Sequence, residues 1–192
     1  MMATLRAFIA IDLSEEVKAE IGMVLRKLQA VSPVPVKWVS PDNIHLTLKF
    51  LGDIQPAQVE RVGQFLRTEI CQFSSFSLTL TGLGAFPNMN RPRVIWIGIG
   101  DQPLLLSLQA VIEKGLERLG FPAEQRSFKP HLTLGRVKDS ATVGDLKAIA
   151  KRLSEIEPRF LASQQVRFVC LYRSILQPAG PIYEQLFRVL LK

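Results

Sequence analysis

The two histidines of this 192-residue chain stand in the same four-residue phrase, His-Leu-Thr-Leu. His45 and Thr47 belong to the first copy, and His131 and Thr133 belong to the second copy, 86 residues later. Imidazole is either neutral or protonated near neutral pH, because its reference pKa is about 6.5. Two histidines can therefore act as a general acid and a general base, while two threonine hydroxyls donate hydrogen bonds to phosphoryl oxygens.

The sequence lacks the additional residues that other histidine-dependent chemistries require. Structural zinc requires four ligands and catalytic zinc usually three, but no further histidine and no clustered cysteines or carboxylates accompany the two phrases. The nucleophile elbow of Ser-His-Asp hydrolases, the Walker loop and the dinucleotide-binding glycine motif are also absent from the sequence. The pattern favours hydrolysis of a phosphodiester without a metal or a cofactor.

Each phrase is expected to lie on a β-strand that has one polar face and one apolar face. Residues i and i+2 of a strand project from the same side, so each histidine projects with its threonine. The leucines then project into a hydrophobic core: Leu46, Leu48, Leu132 and Leu134. Any half-exposed strand alternates in this way, but the recurrence of the phrase with both histidines of the chain favours a functional site over two ordinary polar surfaces.

Three further residues are candidates for binding a substrate. Lys49 shares the face of His45 if the first strand is regular, and its cation suits a phosphate. Arg136 ends the second phrase, but strict alternation directs it away from His131, so a role there requires a bend in the strand. Trp38 is a candidate for stacking on a base, with burial in the core as the alternative. The same alternatives apply to Phe8 and Phe128.

The segments around the phrases predict an α+β fold in one bilobal unit spanning residues 1–192. Strand patterns occupy 5–13, 36–39, 44–52, 76–86, 94–100, 131–137, 165–176 and 183–191, and helical spacing occupies 15–31, the segment after Pro56, 101–119 and 143–153. Several strands follow one another without a helix between them, which favours α+β over a doubly wound parallel sheet. Each half of the chain contains one phrase, which indicates two related lobes.

Composition restricts the partners and the setting of the protein. Lys and Arg number 24 against 17 Asp and Glu, and this excess of positive charge favours an anionic partner such as nucleic acid. Cys71 and Cys170 lie in apolar stretches without a C-x-x-C spacing, so both are expected to be free, buried side chains. No signal-peptide pattern and no run of about 20 apolar residues is present, which favours a cytoplasmic protein that does not enter membranes.

Five stretches of the sequence together resemble the bacterial and archaeal RNA 2′,3′-cyclic phosphodiesterases, also called 2′-5′ RNA ligase-like proteins, of the two-histidine phosphoesterase superfamily. The stretches are RAFIAIDL, VKWVSPDNIHLTLKFLGD, RPRVIWIGIG, FKPHLTLGRVK and YRSILQPAGPIYEQL, and the resemblance as a whole runs from Arg6 to about Leu191. The resemblance implies a bilobal α+β fold with a pseudo-twofold axis, in which antiparallel sheets line a central cleft and helices lie outside.

The same resemblance implies an activity and its residues. A terminal RNA 2′,3′-cyclic phosphate is hydrolysed to a 2′-phosphomonoester, with His45 as the proton donor to the departing 3′ oxygen and His131 as the base that activates water. Reversible 2′-5′ ligation is also associated with the family. The expected partners are RNA 3′ ends or nucleotides bearing a 2′,3′-cyclic phosphate, and the expected state is a monomer. The alternatives are a module that binds RNA ends without cleaving them and a phosphodiesterase for a small cyclic nucleotide.

Overall fold

The computed structural model describes residues 4–30, 34–156, 160–178 and 180–192, and these residues form nine β-strands and four α-helices. In chain order they are β1 (Leu5–Ile11), α1 (Glu15–Gln29), β2 (Val36–Trp38), β3 (Leu46–Ile54), α2 (Pro56–Thr68), β4 (Phe76–Phe86), β5 (Val94–Ile99), α3 (Pro103–Arg118), β6 (His131–Val137), α4 (Val143–Glu155), β7 (Phe160–Val166), β8 (Phe168–Gln177) and β9 (Gly180–Leu190). A short 3-10 turn over Pro41–Asn43 connects β2 to β3.

Two antiparallel sheets form the framework of the protein, and the predicted α+β class is confirmed. The first sheet has the order β3-β1-β8-β9, and the second sheet has the order β2-β6-β5-β4-β7. Helices α2 and α3 contact strands of the first sheet, whereas α1 and α4 contact strands of the second. Each sheet therefore combines strands from both halves of the chain, so neither lobe is a contiguous half of the sequence.

The strands that contain the two phrases are built on the same plan. β3 pairs with β1 and β6 pairs with β5, and each pair has a register shift at the corresponding point. The partners around the shift are Ile9–Lys49 and Ala10–Thr47 in the first sheet, and Ile95–Gly135 and Trp96–Thr133 in the second. Every residue of the second set lies 86 positions after its counterpart in the first. The same β-bulge therefore follows both threonines.

The leucines of both phrases lie in the hydrophobic core, as predicted. Leu46, Leu132 and Leu134 are fully buried, and Leu48 is 3% exposed. The opposite face of each strand bears a half-buried histidine and a half-buried threonine. Burying two leucines in each strand contributes several kcal/mol, at about 1.5 to 3 kcal/mol per side chain, and this anchors the polar residues on rigid strands.

The predicted strand over 165–176 is wrong as a single element. The chain divides at Arg167, so that β7 pairs with β4 in the second sheet and β8 pairs with β1 in the first. Arg167 is exposed at this crossing, and its carbonyl accepts a hydrogen bond from the amide of Leu191. Alternation alone does not reveal a strand that changes sheets. Helix α1 ends at Gln29, and residue 31, the end of its predicted span, lies outside the described residues.

Among the described residues, the structure contains no helix with the length and apolar character needed to span a membrane.

Candidate active site

Both histidines are held by the same local hydrogen bond. Nδ1 of His45 donates to the carbonyl of Asn43 at 3.0 Å, and Nδ1 of His131 donates to the carbonyl of Lys129 at 2.7 Å. A carbonyl oxygen only accepts, so the proton of each neutral ring resides on Nδ1. Nε2 of each imidazole is left as the nitrogen that can accept or deliver a proton, and the carbonyl two residues earlier determines its direction.

Aromatic rings pack against each imidazole. His45 stacks on Phe8 with ring centroids 4.6 Å apart and meets the edge of Tyr183 at 5.0 Å. His131 meets Phe86 edge to face at 5.0 Å. These contacts restrict the rotation of both rings, as a site that must direct Nε2 at a reacting atom requires.

Burial lowers the pKa of His45 below the ordinary value of 6.5, because the charged imidazolium loses hydration among its aromatic neighbours. The hydrogen bond to Asn43 and the negative charge of Asp12 oppose this shift without cancelling it. In the free protein, His45 is therefore predominantly neutral at pH 7. A bound anion such as a phosphate favours the charged form and so raises this pKa.

A pH titration by proton NMR checks this shift directly, since the chain contains two histidines and His131→Asn assigns their signals. We expect the His45 signal to titrate with a midpoint below 6.5 in the folded protein and near 6.5 in the urea-denatured chain. Added inorganic phosphate is expected to move the folded-state midpoint upward. A folded-state midpoint at or above 6.5 without phosphate would contradict the burial effect.

The two phrases lie on opposite walls of one cleft. Strands β3 and β6 belong to different sheets but contact each other. Tyr183 of the first sheet touches His45, and its phenol is close enough to Arg136 of the second sheet to be influenced by that charge. Burial raises the pKa of Tyr183, while the positive charges of Arg136 and Arg6 act to lower it. A charge of the second sheet therefore acts on a residue of the first sheet that contacts His45.

The β-bulge supplies the bend that a role for Arg136 requires. Leu134 and Gly135 are both buried, so the alternation of β6 is interrupted, and Arg136 is exposed on the same side as His131 and Thr133. The prediction of Arg136 as a substrate-binding residue thus remains, with a structural reason for its direction.

Lys49 does not lie in the cleft, so its prediction as a phosphate-binding residue is wrong. The bulge between Thr47 and Lys49 directs its side chain to the buried face of β3, where it is 7% exposed. Its Nζ forms an ion pair with Glu113 of α3 at 2.5 Å and donates to the carbonyl of Pro122 at 2.8 Å. A strictly regular strand would have placed this ammonium beside His45, but the bulge reverses its direction.

Replacing Lys49 with methionine is expected to lower stability rather than catalysis. Removing Lys49 leaves the carboxylate of Glu113 without its cationic partner, with only the hydrogen bonds from Glu124 and Gln109 remaining, and this costs about 3 kcal/mol. Chemical denaturation of Lys49→Met measures this loss, and the kcat of the folded fraction should stay close to that of the unmodified protein. Lys151→Met is the matched control, because Lys151 pairs with Glu155 at 3.7 Å on an exposed helix surface, where the expected change is under about 1 kcal/mol.

Phe50 occupies the same position after the first phrase that Arg136 occupies after the second. Its ring is 66% exposed, it stands opposite Phe8 in the strand register, and its centroid lies 6.1 Å from that of Phe8. The sequence prediction missed this residue because it assumed a regular strand. The equal positions of Phe50 and Arg136, each five residues after a histidine, are the sequence signal that could have identified it.

Trp38 lies on the helix-covered face of the second sheet, so its prediction as a base-stacking residue in the cleft is wrong. It pairs with Gly135 and lines a cavity of about 350 Å³ with Gly22 and Arg26 of α1. A Cβ at Gly135 would lie 2.9 Å from the Trp38 ring, so β2 can approach β6 only where the side chain is absent. Lys37, which pairs with Arg136, is the residue of β2 that lies on the face of the sheet opposite to the helix-covered face.

The cysteines differ from each other in their surroundings. Cys170 is buried, as predicted, whereas Cys71 is half-buried and packs at the edge of the core. The Cys170 thiol lies 3.6 Å from a carboxylate oxygen of Asp12, which also accepts a 2.6 Å hydrogen bond from the Tyr172 hydroxyl. Burial and this negative charge raise the pKa of Cys170 to about 12. The thiol therefore stays protonated and is not a nucleophile at neutral pH.

Metal ligands are not grouped in the described part of the chain, where no cluster of three or more His, Cys, Asp or Glu side chains could hold an ion. Phe128, the remaining aromatic candidate, is half-buried against the core. Neither threonine hydroxyl of the two phrases has a hydrogen-bond partner among the described residues, so both are available to an incoming ligand.

Comparison with known proteins finds one family that matches both halves of the chain. Two segments of the chain, residues 11–96 and 97–183, each match the family described as LigT like Phosphoesterase. The segments begin 86 residues apart, which is also the spacing of the two phrases. The family thus matches the chain twice, once around each histidine.

Individual relatives are similar over nearly their whole length. The RNA 2′,3′-cyclic phosphodiesterase of Archaeoglobus fulgidus is 37% identical over 183 residues, which cover 95% of this chain and 98% of the relative. That of Thermotoga maritima is 35% identical over 183 residues, covering 95% and 94%. The crystal structure of Escherichia coli LigT complexed with 3′-AMP superposes with a TM-score of 0.79 at 28% identity, covering 98% of this chain and 99% of that one. The chain belongs to the LigT-like phosphoesterase family.

Proposed function

We propose that this protein hydrolyses the 2′,3′-cyclic phosphate at RNA 3′ ends to a 2′-phosphomonoester, without a metal ion. The observation that carries this proposal is the matched pair of imidazoles, each held through Nδ1 by a backbone carbonyl and each keeping Nε2 for proton transfer. The relatives from Archaeoglobus fulgidus and Thermotoga maritima are RNA 2′,3′-cyclic phosphodiesterases, which supports the same substrate.

In this mechanism His131 and His45 transfer protons in opposite directions. Nε2 of His131 takes a proton from water as the water oxygen attacks phosphorus. The bond between phosphorus and the 3′ oxygen breaks, and His45 gives its Nε2 proton to that oxygen. Thr47 and Thr133 donate hydrogen bonds to the nonbridging oxygens, whose negative charge increases in the transition state. One water is consumed, and the phosphate remains on the 2′ oxygen.

The low pKa of His45 makes substrate binding and protonation interdependent. Its imidazole is predominantly neutral in the free protein, whereas the proposed donor must carry a proton. The negative charge of the cyclic phosphate favours the imidazolium form, so the substrate promotes the protonation state that its own cleavage requires. The same two histidines would serve 2′-5′ ligation, in which a ribose hydroxyl replaces water as the nucleophile: His131 takes its proton, and the 3′ oxygen leaves with the proton from His45 as in hydrolysis.

Phe50 is the residue of this site best suited to contact a base. An exposed aromatic ring beside the phosphate position offers a stacking surface, and stacking contributes about 1 to 3 kcal/mol per base. We expect Phe50→Ala to raise KM at least about fivefold for a cyclic nucleotide with little change in kcat. Phe50→Tyr preserves the ring and serves as the control, so an equal rise in KM for both variants would exclude stacking.

Product identification tests the proposed function. An oligoribonucleotide ending in a 2′,3′-cyclic phosphate is incubated with the protein in the presence of a chelator, and the terminal group is identified by phosphorus NMR. A 2′-phosphate is the expected product. A 3′-phosphate would contradict the proposed bond cleavage, and loss of activity with chelator would contradict metal independence.

The two alternatives predict different results in the same assay. A module that only binds RNA ends would show affinity for the oligonucleotide without turnover of any cyclic phosphate. A phosphodiesterase for a small cyclic nucleotide would gain nothing in kcat/KM from a longer RNA, and its binding would show little added dependence on salt.

A further inference from the structure

Arg6 lies on the cleft face of the first sheet, outside the site formed by the two phrases. Arg6, Phe8 and Ala10 alternate along β1 and pair with β8 without a register shift, so their side chains share one face. The Phe8 ring stacks on His45, which identifies this face as the cleft wall. Arg6 is exposed two residues from that ring.

Tyr183 connects Arg6 to the histidine. Arg6 stands opposite Ser174 of β8, and Ser174 stands opposite Tyr183 of β9, so the three residues form one row across the sheet. The Tyr183 ring meets His45 at 5.0 Å and Phe8 at 5.1 Å. Its phenol is influenced by the charges of both Arg6 and Arg136. The positive charges of two arginines from different sheets therefore both act on the phenol of Tyr183, which lies beside His45.

No carboxylate neutralises this pair among the described residues. Neither Arg6 nor Arg136 forms an ion pair there, although six other arginine or lysine side chains of the same part of the chain pair at 2.5 to 3.3 Å. Asp53 faces Arg6 in the register of β3 but makes no ion pair with it. Glu184, next to Tyr183, pairs with Arg173 at 3.3 Å. Two unpaired guanidinium groups in one cleft form a positive potential that attracts an anion.

We propose that Arg6, Arg136 and the Tyr183 hydroxyl form a second phosphate subsite, which binds the phosphodiester joining the terminal nucleotide to the nucleotide before it. This inference rests on the proposed function. The cyclic phosphate occupies the position between the histidines, and the next anionic group of an RNA strand is the phosphodiester on the 5′ side of the same ribose. A cyclic mononucleotide lacks this group. The subsite therefore selects oligonucleotide ends over cyclic mononucleotides.

Three substrates isolate the contribution of this second phosphate: adenosine 2′,3′-cyclic phosphate, the dinucleotide ApA ending in a 2′,3′-cyclic phosphate, and the same dinucleotide with a neutral methylphosphonate linkage. We expect kcat/KM of the unmodified protein to be about tenfold higher for the charged dinucleotide than for the mononucleotide, because one charge-assisted hydrogen bond supplies a difference of about this size. The methylphosphonate should abolish most of this preference.

Variants of Arg6 then assign the preference to the subsite. Arg6→Ala should reduce the dinucleotide-to-mononucleotide ratio of kcat/KM by about tenfold and lower the salt dependence of dinucleotide binding by about 0.7 log unit per log unit of salt. Arg6→Lys keeps the charge and should retain part of the ratio. Arg61→Ala is the matched control, because Arg61 is an exposed arginine of α2, on the outer side of the first sheet.

The outcomes separate the subsite from the underlying activity. Hydrolysis of all three substrates with the same ratio in the unmodified protein and in Arg6→Ala would overturn the subsite and leave the phosphodiesterase function standing. A ratio lowered equally by Arg6→Ala and Arg61→Ala would also overturn it, since the effect would then come from net charge. Absence of turnover on every substrate would overturn the proposed function and the subsite together.

Discussion

Replacing either His45 or His131 with asparagine is expected to reduce kcat by about 10² to 10⁴, the usual contribution of one positioned acid or base. The asparagine amide can occupy the place of Nδ1 and donate to the carbonyl of Asn43 or Lys129, so the local hydrogen bond is preserved. Nε2 is lost. The expected effect thus falls on proton transfer, and kcat measured on a cyclic phosphate with the folded variants checks it.

The double variant tests whether the two imidazoles act in one transition state. Groups that act together are strongly non-additive, so the double variant should be little slower than the slower single variant. Thermal unfolding of all three variants controls for loss of structure. Near-normal turnover in either single variant would refute the paired mechanism.

A sulfur atom in place of the bridging 3′ oxygen distinguishes the donor from the acceptor. A thiolate is a better leaving group than a ribose alkoxide, since a thiol ionises near pH 8.5, and its departure needs little protonation. His45→Asn should therefore regain activity on the sulfur substrate relative to the oxygen substrate, whereas His131→Asn should not. The opposite pattern would exchange the roles of the two histidines.

Replacing Thr47 or Thr133 with valine is expected to have the second large effect. Each of these substitutions should reduce kcat by about 10² to 10³. Valine has nearly the shape of threonine but no hydroxyl, so the change removes a donor and leaves the packing of the strand. Neither hydroxyl is engaged by the described residues of the protein, which means that no internal hydrogen bond is lost. Transition-state stabilisation by these donors would appear in kcat rather than in KM alone.

Serine at the same positions is the matched control. Thr47→Ser and Thr133→Ser retain the hydroxyl and should recover most of the rate. Equal losses for serine and valine at one position would show that the methyl group, and hence packing, accounts for the effect. Retention of full kcat by both valine variants would refute a role of the threonines in stabilising the transition state.

The polar faces of β3 and β6 were predictable because alternation in a strand is a local property. A histidine and a threonine two residues apart project together in any extended backbone, and the leucines between them must be buried. Leu46 and Leu132 are fully buried as a result. The α+β class followed in the same way, from strand patterns that succeed one another without helices.

The directions of the side chains just after each phrase, at residues 49–50 and 135–136, were not predictable in this way, because a β-bulge has no simple sequence signature. One extra residue in the strand reverses the direction of every side chain after it. Lys49 consequently lies under α3 with Glu113, while Phe50 and Arg136 face the cleft. Trp38 was misplaced for a related reason, since the face of a three-residue edge strand depends on its register with β6.

The sequence by itself determined which residue types the site contains, because the repeated His-Leu-Thr-Leu phrase specifies two imidazoles and two hydroxyls on strand faces. Only the tertiary structure decided which residues after each phrase face the site and what surrounds the histidines. The pairing of β3 with β1 and of β6 with β5 creates the two bulges, and the burial of His45 against Phe8 and Tyr183 lowers its pKa. The physical reason is that register, burial and the approach of charges such as Arg6 and Arg136 arise between segments distant in the chain, where no local pattern records them.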